Sequence, residues 1–490
     1  MKQKYVLWSS ILLFSFFGMF GKLHISDLQP LGSAAHASIA REILRTNDWL
    51  TLHWPHCEEF SDFYQFPPLF FWLQAICFKV FGISDATAKY VSSFFGILVI
   101  ISTFILAKII TKDNYVGFLS AMTLILHPYF FRHARKCELE TGLMFFITMG
   151  IIFFVISEIK NNYKYLLLSG LFSGLGFLYK GPPAYCIHVT ILVYFVITKQ
   201  YKKILNIYYI GSILIGILIP FIWFIPQLIH KGNALIEKYF VNQIFWSLQG
   251  RGVVFQTFFE KVKSYLFFVP VFFSYYLPWS ATGFFGVYKV IKEKNKIFYS
   301  LIIWAAVVWI GFTLAGYKDD YYLLAFWPGW CVMNGYIFSF WTQKIKDKLI
   351  NFFAIMSIIF TMLVILTPIK FDKIRNPEFK SLSSYVKNIV PENKKIIPYR
   401  LFYYDMVALI PWYWDRGVER SSFVDKNKKV WKYRSIETEE ELFSSLNSLD
   451  KKFLIIKKTD YEKLSDILKN KILILKEEGR FYFCESKPKL

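Results

Sequence analysis

The sequence predicts an all-α polytopic membrane bundle of about eleven transmembrane helices with large outer loops, followed by a small C-terminal α/β domain. Three observations lead to this fold class. Hydrophobic residues make up 55% of the 490 positions, which is more apolar surface than one compact soluble core can bury. They occur in runs of about 16 to 25 residues, long enough to cross a bilayer. These runs stop after Pro368, and short β-like segments replace them.

The composition excludes several function classes. Charged residues are only 19% of the chain and aromatic residues are 20%, a balance that argues against a soluble enzyme and against a disordered protein. The formal net charge of +22 would suggest a nucleic-acid partner in a soluble protein. In a membrane protein it is better explained by lysines that lie beside anionic lipid. We therefore expect contact with membrane lipid and no nucleic-acid partner.

The first apolar run, residues 5–21, follows Lys2 and Lys4 and is similar to a signal peptide. Ala35-His36-Ala37 supplies a small-residue motif, but it lies too far beyond the apolar run for cleavage. We predict an uncleaved first helix with a cytoplasmic N-terminus.

Further spans are predicted at 90–107, 115–131, 142–157, 163–179, 183–198, 204–226, 264–288, 297–316, 321–341 and 349–367. With the N-terminus inside, the inner connections are 108–114, 158–162, 199–203, 289–296 and 342–348. Each of these connections contains lysine, whereas the first outer loop is rich in Asp and Glu, as the positive-inside rule requires. The aromatic stretch 67–82 would invert this order if it crossed the membrane, so we predict an interfacial helix on the outer leaflet there. The membrane domain is then 1–368, with outer loops 23–89 and 227–263.

Residues 369–490 predict a separate α/β domain on the same outer face, the periplasmic side in a bacterium. The strand-like segments are KKIIPYRL, KFLIIKK, KILILKE and GRFYFCES, and the helix-like segments are EEELFSSLNSL and DYEKLSDILKN. Short apolar runs of this kind between helical pieces are typical of a small mixed sheet.

Several basic side chains lie at the predicted outer ends of spans, against the charge rule. They are Arg132, His133, Arg135, Lys136, Lys180, Arg251 and Lys318. A group of fixed cations at the outer leaflet suits a lipid-linked phosphate, because Arg and Lys supply charge-assisted hydrogen bonds. Alternatively, each side chain extends to a lipid headgroup or pairs with a local acid, as Lys318 could with Asp319.

Transfer of a sugar from a lipid phosphate to an acceptor hydroxyl or amine also requires a base near the acceptor. The candidate carboxylates are Glu140, Glu138, Asp27, Glu58, Glu59 and Asp62. For each of them the alternative is a solvated loop acid. Three histidines, His36, His53 and His56, share the first outer loop, so a divalent metal is a further expectation there, although none has helix-face ligand spacing with a carboxylate.

A series of short motifs runs in order between residues 20 and 335. The motifs are SIAREILRTNDWL, FPPLFFWLQA, FGISDATAKYVSSFFG, HARKCELE, GLGFLYKGP, YYLPWS and GYKDDYYLLAFWPGW. In this order they resemble the GT-C membrane glycosyltransferases, and most closely the branch that holds protein O-mannosyltransferases and the lipid A aminoarabinose transferase of bacteria. The resemblance implies a helical membrane bundle that moves a sugar from a polyprenyl phosphate carrier to lipid A, protein or another glycan.

The resemblance also implies roles for individual residues. Glu140 stands where the family usually has an aspartate in its second outer loop, and Lys180 matches the lysine of the KGP turn. Arg251 matches an arginine of a later loop. Lys318, with Tyr321 or Tyr322, matches a K-x-x-x-Y-type stretch near the carrier.

Two positions depart from the family pattern. Gly32-Ser33 replaces an acidic residue, and Gln65-Phe66 replaces the lysine before Pro-Pro and its usual Glu neighbour. Either Asp27 or a carboxylate from 58–62 substitutes for the missing acid, or the chemistry rests on Glu140, or the protein does not catalyse.

The leading hypothesis is a bacterial inner-membrane glycosyltransferase that uses an undecaprenyl-phosphate sugar and an outer-face glycolipid, glycan or protein as acceptor. The candidate catalytic residues are Glu140 and Asp27. The candidate substrate contacts are Arg135, Lys180, Arg251, Lys318, Tyr321, Tyr322 and His36. Trp54, Phe66 and Trp72 could line a sugar or prenyl groove.

Two rival functions stay open. A degenerate scaffold would bind a polyprenyl lipid or a partner enzyme without transfer, and the missing first-loop acid motivates it. A secondary transporter is the other rival, but the sequence has neither an inverted repeat nor a matching pair of broken spans. Neutralising Glu140 and Asp27 separates a transferase, which would lose turnover, from a scaffold.

Overall fold

The structure is a computed structural model that describes residues 2–56, 62–245, 257–369, 371, 374, 376–419, 421–425, 430–448 and 450–487. The chain forms two compact units. Unit 1 comprises Met1–Leu23, Tyr64–Cys77 and Lys89–Phe371, and unit 2 comprises His24–Phe63, Phe78–Ala88 and Asp372–Leu490.

The helices before residue 370 account for the predicted bundle. They are α1 (Lys2–Phe20), α2 (Ala35–Thr46), α3 (Leu69–Phe81), α4 (Thr87–Thr111), α5 (Asn114–Ile125), α6 (Pro128–Ala134), α7 (Glu140–Lys160), α8 (Tyr165–Lys180), α9 (Cys186–Ile197), α10 (Ile207–Lys231), α11 (Phe258–Tyr265), α12 (Phe268–Tyr275), α13 (Trp279–Glu293), α14 (Lys296–Leu314), α15 (Trp327–Ile337) and α16 (Gln343–Leu366). A single turn at Asn233–Leu235 leads into the π-helical segment Ile236–Phe245, and 3₁₀ turns occur at Pro182–Tyr185, Tyr201–Lys203, Asp320–Phe326 and Phe338–Phe340.

Five of the described helices, α4, α7, α10, α14 and α16, are long and apolar enough to cross a membrane. Shorter apolar helices lie at Tyr5–Phe20, Leu69–Phe81, Asn114–Ile125 and Pro182–Ile197. The predicted helical bundle is therefore confirmed, while the number of eleven spans is not. The stretch 67–82 forms the short helix α3 after Pro67 and Pro68, and its interfacial position stays a prediction.

Two predicted spans are wrong as single helices. Residues 115–131 are divided between α5, which ends at Ile125, and α6, which begins at Pro128. Residues 264–288 are divided among the end of α11, α12 and the first part of α13, with a break between Tyr275 and Trp279. Pro278 lies in this break, and proline disfavours a helical conformation at the residue before it. Apolar composition predicted the length of this segment but not its interruption.

In unit 1, α7 packs against α8, and α8 packs against α10. Glycine permits the second approach, because a Cβ atom on Gly170 of α8 would lie 2.2 Å from the Ser212 carbonyl oxygen of α10. Small residues allow helix backbones to approach closely in this way. The result is a tight three-helix group that holds the ends of α7 and α8 in place.

Unit 2 contains the predicted α/β fold. Its strands are β1 (Lys395–Tyr399), β2 (Gly417–Val418), β3 (Ser421–Asp425), β4 (Val430–Arg434), β5 (Phe453–Lys457), β6 (Ile472–Glu478) and β7 (Phe481–Ser486). Its C-terminal helices are α17 (Pro377–Ser381), α18 (Ser383–Ile389), α19 (Tyr403–Leu409), α20 (Glu439–Leu446), α21 (Lys458–Glu462) and α22 (Asp466–Asn470). All four segments expected to be strands are strands, namely β1, β5, β6 and β7.

The sheet has the strand order β2-β1-β5-β7-β6. Strand β1 pairs in parallel with β2 and β5, whereas β7 pairs antiparallel with β5 and β6. A separate antiparallel hairpin joins β3 and β4. The first outer loop also packs into this unit, because the Arg41 guanidinium of α2 donates to the Pro411 and Trp412 carbonyl oxygens at 2.8 and 3.1 Å.

Candidate functional site

A buried ion pair joins two neighbouring helices of unit 1. Glu140 is the first residue of α7, and Lys180 is the last residue of α8. The Lys180 ammonium donates to the Glu140 carboxylate, and the two side chains are 10% and 8% exposed, respectively. Each charge lies at the helix end whose dipole favours it, the carboxylate at an N-terminus and the ammonium at a C-terminus.

The Lys-Gly-Pro turn explains why Lys180 ends its helix. Gly181 has φ 104° and ψ −154°, a backbone conformation that is open almost only to glycine. Pro182 then begins a 3₁₀ turn, where its missing N–H costs no hydrogen bond. The three residues therefore stop α8 abruptly and leave the lysine at its end.

A cavity of about 690 Å³ opens beside the ion pair, a volume typical of small-ligand sites. Polar side chains gather in its lining, among them Glu140, Lys180, Asp319, Tyr321 and Tyr322. Much of the remaining lining is apolar and comes from α9 and α14, including Val189, Val193, Val308 and Ile310. The cavity thus combines charged groups with an apolar wall, an arrangement that suits an amphiphile with a polar headgroup.

Asp319 brings a second carboxylate to the cavity. The hydroxyls of Tyr321 and Tyr317 donate to its two oxygens at 2.7 and 3.4 Å. Burial raises the pKa of Asp319, although these hydrogen bonds and the charge of Lys180 oppose the shift. The Lys180 Nζ also lies 5.3 and 5.8 Å from the ring centroids of Tyr321 and Tyr322. The structure therefore brings one ammonium, two carboxylates and two tyrosines together.

Gln65 and Phe66 line the same cavity. In the family that the motifs resemble, a lysine stands here before Pro-Pro. In this chain the position lies at the site but carries no charge. Among the lining residues within the described part of the chain, Lys180 is the only one with a positive charge.

Arg135, a predicted phosphate contact, lies elsewhere in unit 1. Its guanidinium donates to the carbonyl oxygens of Gly18, Met19 and Gly21, and the residue is 1% exposed. These carbonyls lie at the C-terminal end of α1, where intrahelical partners run out. The contacts give Arg135 a structural role, and it is not among the lining residues of the cavity. Its role in carrier binding stays a prediction.

Lys318 is also held by local groups. Its ammonium donates to the Ala315 carbonyl oxygen at 2.6 Å and to the Ser264 hydroxyl at 3.0 Å, and burial lowers its pKa. Its neighbours Tyr317 and Asp319 line the cavity, whereas Lys318 does not.

Glu138 pairs with two residues of the basic HARK turn. The Glu138 carboxylate contacts the His133 Nδ1 atom at 2.6 Å and the Lys136 ammonium at 3.3 Å. Burial alone would raise the pKa of Glu138, but Lys136 and His133 outweigh it and hold this pKa well below its usual range. The convergence of cations expected from the sequence is therefore reduced by pairing.

Asp27 and His36 belong to unit 2 and are 5% and 8% exposed. The Asp27 carboxylate accepts a hydrogen bond from the backbone N–H of Asn376 at 2.6 Å. Their catalytic and substrate-binding roles stay predictions. Arg251, Glu58 and Glu59 lie outside the described residues.

No candidate metal-binding group of three His, Cys, Asp or Glu side chains is found among the described residues, which omit residues 57–61 of the first outer loop. The His53 ring nitrogens contact Asp48 at 2.8 Å and Asp62 at 3.3 Å. Both ring nitrogens of His53 therefore already have carboxylate partners, and the divalent metal stays a prediction.

Sequence reasoning missed Asp319 as a member of the site and treated it as a local partner of Lys318. The signal was available, because Asp319 lies two residues before Tyr321 in the GYKDDYY motif. It also missed Tyr239, which lines the cavity from the π-helical segment Ile236–Phe245. That segment lay within a predicted outer loop, so no helical pattern pointed to the cavity.

One protein-family model matches part of the chain. Residues 65–230, which contain α7, α8 and the Lys-Gly-Pro turn, match the family model described as dolichyl-phosphate-mannose-protein mannosyltransferase. The chain is a multi-pass membrane protein that is similar, as its motifs predicted, to the GT-C glycosyltransferases of the protein O-mannosyltransferase and aminoarabinose transferase superfamily.

Individual relatives refine this class. ArnT from Cupriavidus metallidurans has the same fold, with a TM-score of 0.73 in the apo state and 0.72 bound to undecaprenyl phosphate. Both alignments cover 99% of each chain at 12% identity. An undecaprenyl phosphate-alpha-4-amino-4-deoxy-L-arabinose arabinosyl transferase of Pseudomonas fluorescens is 21% identical over 62% of this chain, and the match spans 56% of that relative's length. An Aquifex aeolicus protein is 26% identical over 80% of this chain and 86% of its own length.

Proposed function

We propose that the protein is an inner-membrane glycosyltransferase that moves a sugar from a polyprenyl phosphate carrier to an acceptor on the outer face. The observation that carries this proposal is the cavity of about 690 Å³, which combines the Glu140–Lys180 pair with an apolar wall. A polyprenyl phosphate has matching chemistry, an anionic phosphate on an isoprenoid chain. The relative solved with undecaprenyl phosphate supports this class of donor.

Lys180 is the residue proposed to bind the carrier phosphate. Its ammonium is the positive charge in the described cavity lining, and the end of α8 holds it in place. During transfer, the bond between the anomeric carbon and the phosphate oxygen breaks, and its electron pair stays on the phosphate. The ammonium stabilises the negative charge of this leaving group.

The second half of the reaction forms the new glycosidic bond. An acceptor hydroxyl or amine supplies an electron pair to the anomeric carbon and loses its proton to a carboxylate. Glu140 and Asp319 are the two carboxylates of the described lining. When the phosphate takes Lys180, Glu140 loses its partner and becomes free to accept this proton, so donor binding and base release are coupled.

The sugar, the acceptor and the placement of unit 2 on the periplasmic side belong to the proposal. A glycolipid such as lipid A, another envelope glycan or a protein each offers the required nucleophile. The C-terminal domain forms one unit with residues 24–63 and 78–88 of the first outer loop, which suits a role in holding a large acceptor.

The test uses purified protein in nanodiscs with radiolabelled undecaprenyl-phosphate sugars and an envelope extract as acceptor. We expect transfer of label by the wild-type protein and a loss of at least about hundredfold in Glu140→Gln, since a positioned general base contributes that much. The matched control is Glu158→Gln, which neutralises the carboxylate of another Glu–Lys pair near the other end of α7. This control should transfer label normally.

A catalytically degenerate scaffold is the alternative, and the uncharged Gln65-Phe66 at the cavity motivates it. Carrier binding without label transfer to any extract fraction, in wild type and variants alike, would favour the scaffold and refute the transferase. Equal loss of transfer in Glu140→Gln and Glu158→Gln would show that the first effect is merely structural.

A further inference from the structure

Unit 2 contains a cavity of its own, with a volume of about 400 Å³. It is lined by α2, by the loop that follows α2, by the turn before β1 and by Gly417 at the start of β2. The volume is within the range of small-ligand sites. None of its lining residues takes part in the transfer chemistry proposed above.

One of the lining residues, Glu42, has a carboxylate oxygen with no partner among the described residues. Glu42 is 4% exposed, and its Oε1 atom accepts hydrogen bonds from the Arg45 guanidinium at 2.7 and 3.1 Å. Its Oε2 atom is buried and has no hydrogen-bond donor among the residues that the structure describes. A buried acceptor without a donor is unfavourable, so a turn of the carboxylate that brings Oε2 to a ligand hydroxyl or amine in the cavity would satisfy it.

The groups beside Glu42 suit a carbohydrate. Trp54 lines the cavity, and its ring lies 5.8 Å from that of Phe63. An indole face packs against the C–H face of a pyranose ring, while a carboxylate and the Asn393 amide can bind sugar hydroxyls. At the rim, Lys394 already pairs with Asp450 at 2.8 Å. The Lys394 charge at the rim is therefore already paired, so the cavity is better suited to a sugar than to a free anion.

The wall of the cavity is held in place by hydrogen bonds. The His56 Nε2 atom contacts the Asp415 carboxylate at 2.9 Å, and the Arg41 guanidinium donates to the same carboxylate at 2.8 Å. The His53 ring is held between two carboxylates, as described above. A lining with fixed side chains loses little freedom when a ligand binds.

We propose that this cavity binds one sugar unit of a glycan, with a sugar hydroxyl or amine donating to Glu42 Oε2 and the ring packed on Trp54. The inference deepens the proposed function, because such a site would hold a glycan acceptor by a sugar that does not react. Sugar binding in this cavity requires neither the polyprenyl phosphate donor nor a transfer reaction.

Saturation-transfer NMR on the full chain in nanodiscs tests the site, with glucose, glucosamine and N-acetylglucosamine as probes and empty nanodiscs as the blank. We expect at least one sugar to bind and its affinity to fall about tenfold in Glu42→Gln, which loses a charge-assisted hydrogen bond. Trp54→Leu should weaken it by a similar factor. Glu462→Gln, an exposed change on the same unit, should leave the affinity unchanged.

Sugar binding that is equal in wild type, Glu42→Gln and Trp54→Leu would overturn the proposal, as would no binding of any probe or complete displacement of the sugar by inorganic phosphate. The Glu140→Gln variant separates this test from the first one. It should bind the sugar normally although it transfers nothing. A protein that binds sugar but transfers no label would sustain this site and refute only the transferase.

Discussion

Replacing Glu140 by glutamine should tighten the binding of the carrier phosphate while transfer is lost. In the structure, the Lys180 ammonium is occupied by the Glu140 carboxylate, and both side chains are about nine-tenths buried. This carboxylate neutralises the ammonium and repels an approaching phosphate. The glutamine amide has nearly the same shape but no charge, so it competes less strongly and repels the phosphate less.

The size of the effect follows from the exchange of partners. A hydrogen bond to a charged group contributes about 1.5–3 kcal/mol, and a neutral one about 0.5–1.5 kcal/mol. The free energy of the contact between residue 140 and Lys180, against which the phosphate competes, therefore falls by about 1–1.5 kcal/mol in Glu140→Gln. Each 1.4 kcal/mol is about tenfold in affinity. We expect undecaprenyl phosphate to bind Glu140→Gln about tenfold more tightly than wild type.

Native mass spectrometry of protein in nanodiscs, titrated with undecaprenyl phosphate at constant ionic strength, measures this affinity. Glu158→Gln is the control, since its Lys203 partner at 2.9 and 3.0 Å is not among the lining residues of the cavity. Unchanged or weaker binding in Glu140→Gln would refute the exchange of partners at Lys180. Equal tightening in Glu158→Gln would show that the gain comes from net charge alone.

Further predictions concern stability and pH. Lys180→Met should lower the free energy of unfolding by about 3–5 kcal/mol, because Glu140 stays buried without a partner, and the added Glu140→Gln change should restore it in thermal unfolding. Arg135→Met leaves three carbonyl oxygens without their donor, so the melting temperature should fall while the affinity for undecaprenyl phosphate stays constant. Burial raises the pKa of Asp319, so transfer that uses its basic form should rise with pH through that raised pKa, and Asp319→Asn should remove this dependence. Hydrogen bonding from the His56 imidazole and the charge of the Arg41 guanidinium outweigh burial and hold the pKa of Asp415 well below its usual range. Its stabilising effect is therefore present above the unfolded pKa of about 3.9 and lost as pH falls toward the folded one, and hydrogen exchange should show an acid-sensitive unit 2 that Asp415→Asn makes less pH-dependent.

The elements of this fold were predictable because their signals are local. Long apolar runs predicted the helices of the bundle, and short apolar runs predicted β1, β5, β6 and β7. The break between α12 and α13 was missed, since residues on both sides of Pro278 are equally apolar. The packing of the first outer loop into unit 2 was missed too, because it depends on tertiary contacts such as those of Arg41.

The site was predictable only in part. Glu140, Lys180, Tyr321 and Tyr322 were each named from motifs, and the structure places all four in the lining of one cavity. Arg135 shows the limit of such reasoning. Its partners are main-chain carbonyls at the end of α1, and a sequence does not reveal which buried arginine will meet an unsatisfied helix end rather than a ligand.

The two Glu–Lys pairs of α7 fix the position of this helix near both of its ends. Glu140 is tied to the end of α8 and Glu158 to the turn before α10, so the helix is held near both ends. Inserting one residue between them would turn one end relative to the other by about 100° and shift it by about 1.5 Å, so both pairs could not persist. The spacing between the two pairs is therefore set by the number of helical residues between Glu140 and Glu158. Sequence drift within this helix should occur by substitution and not by insertion or deletion, whereas the loops between helices are free to change length.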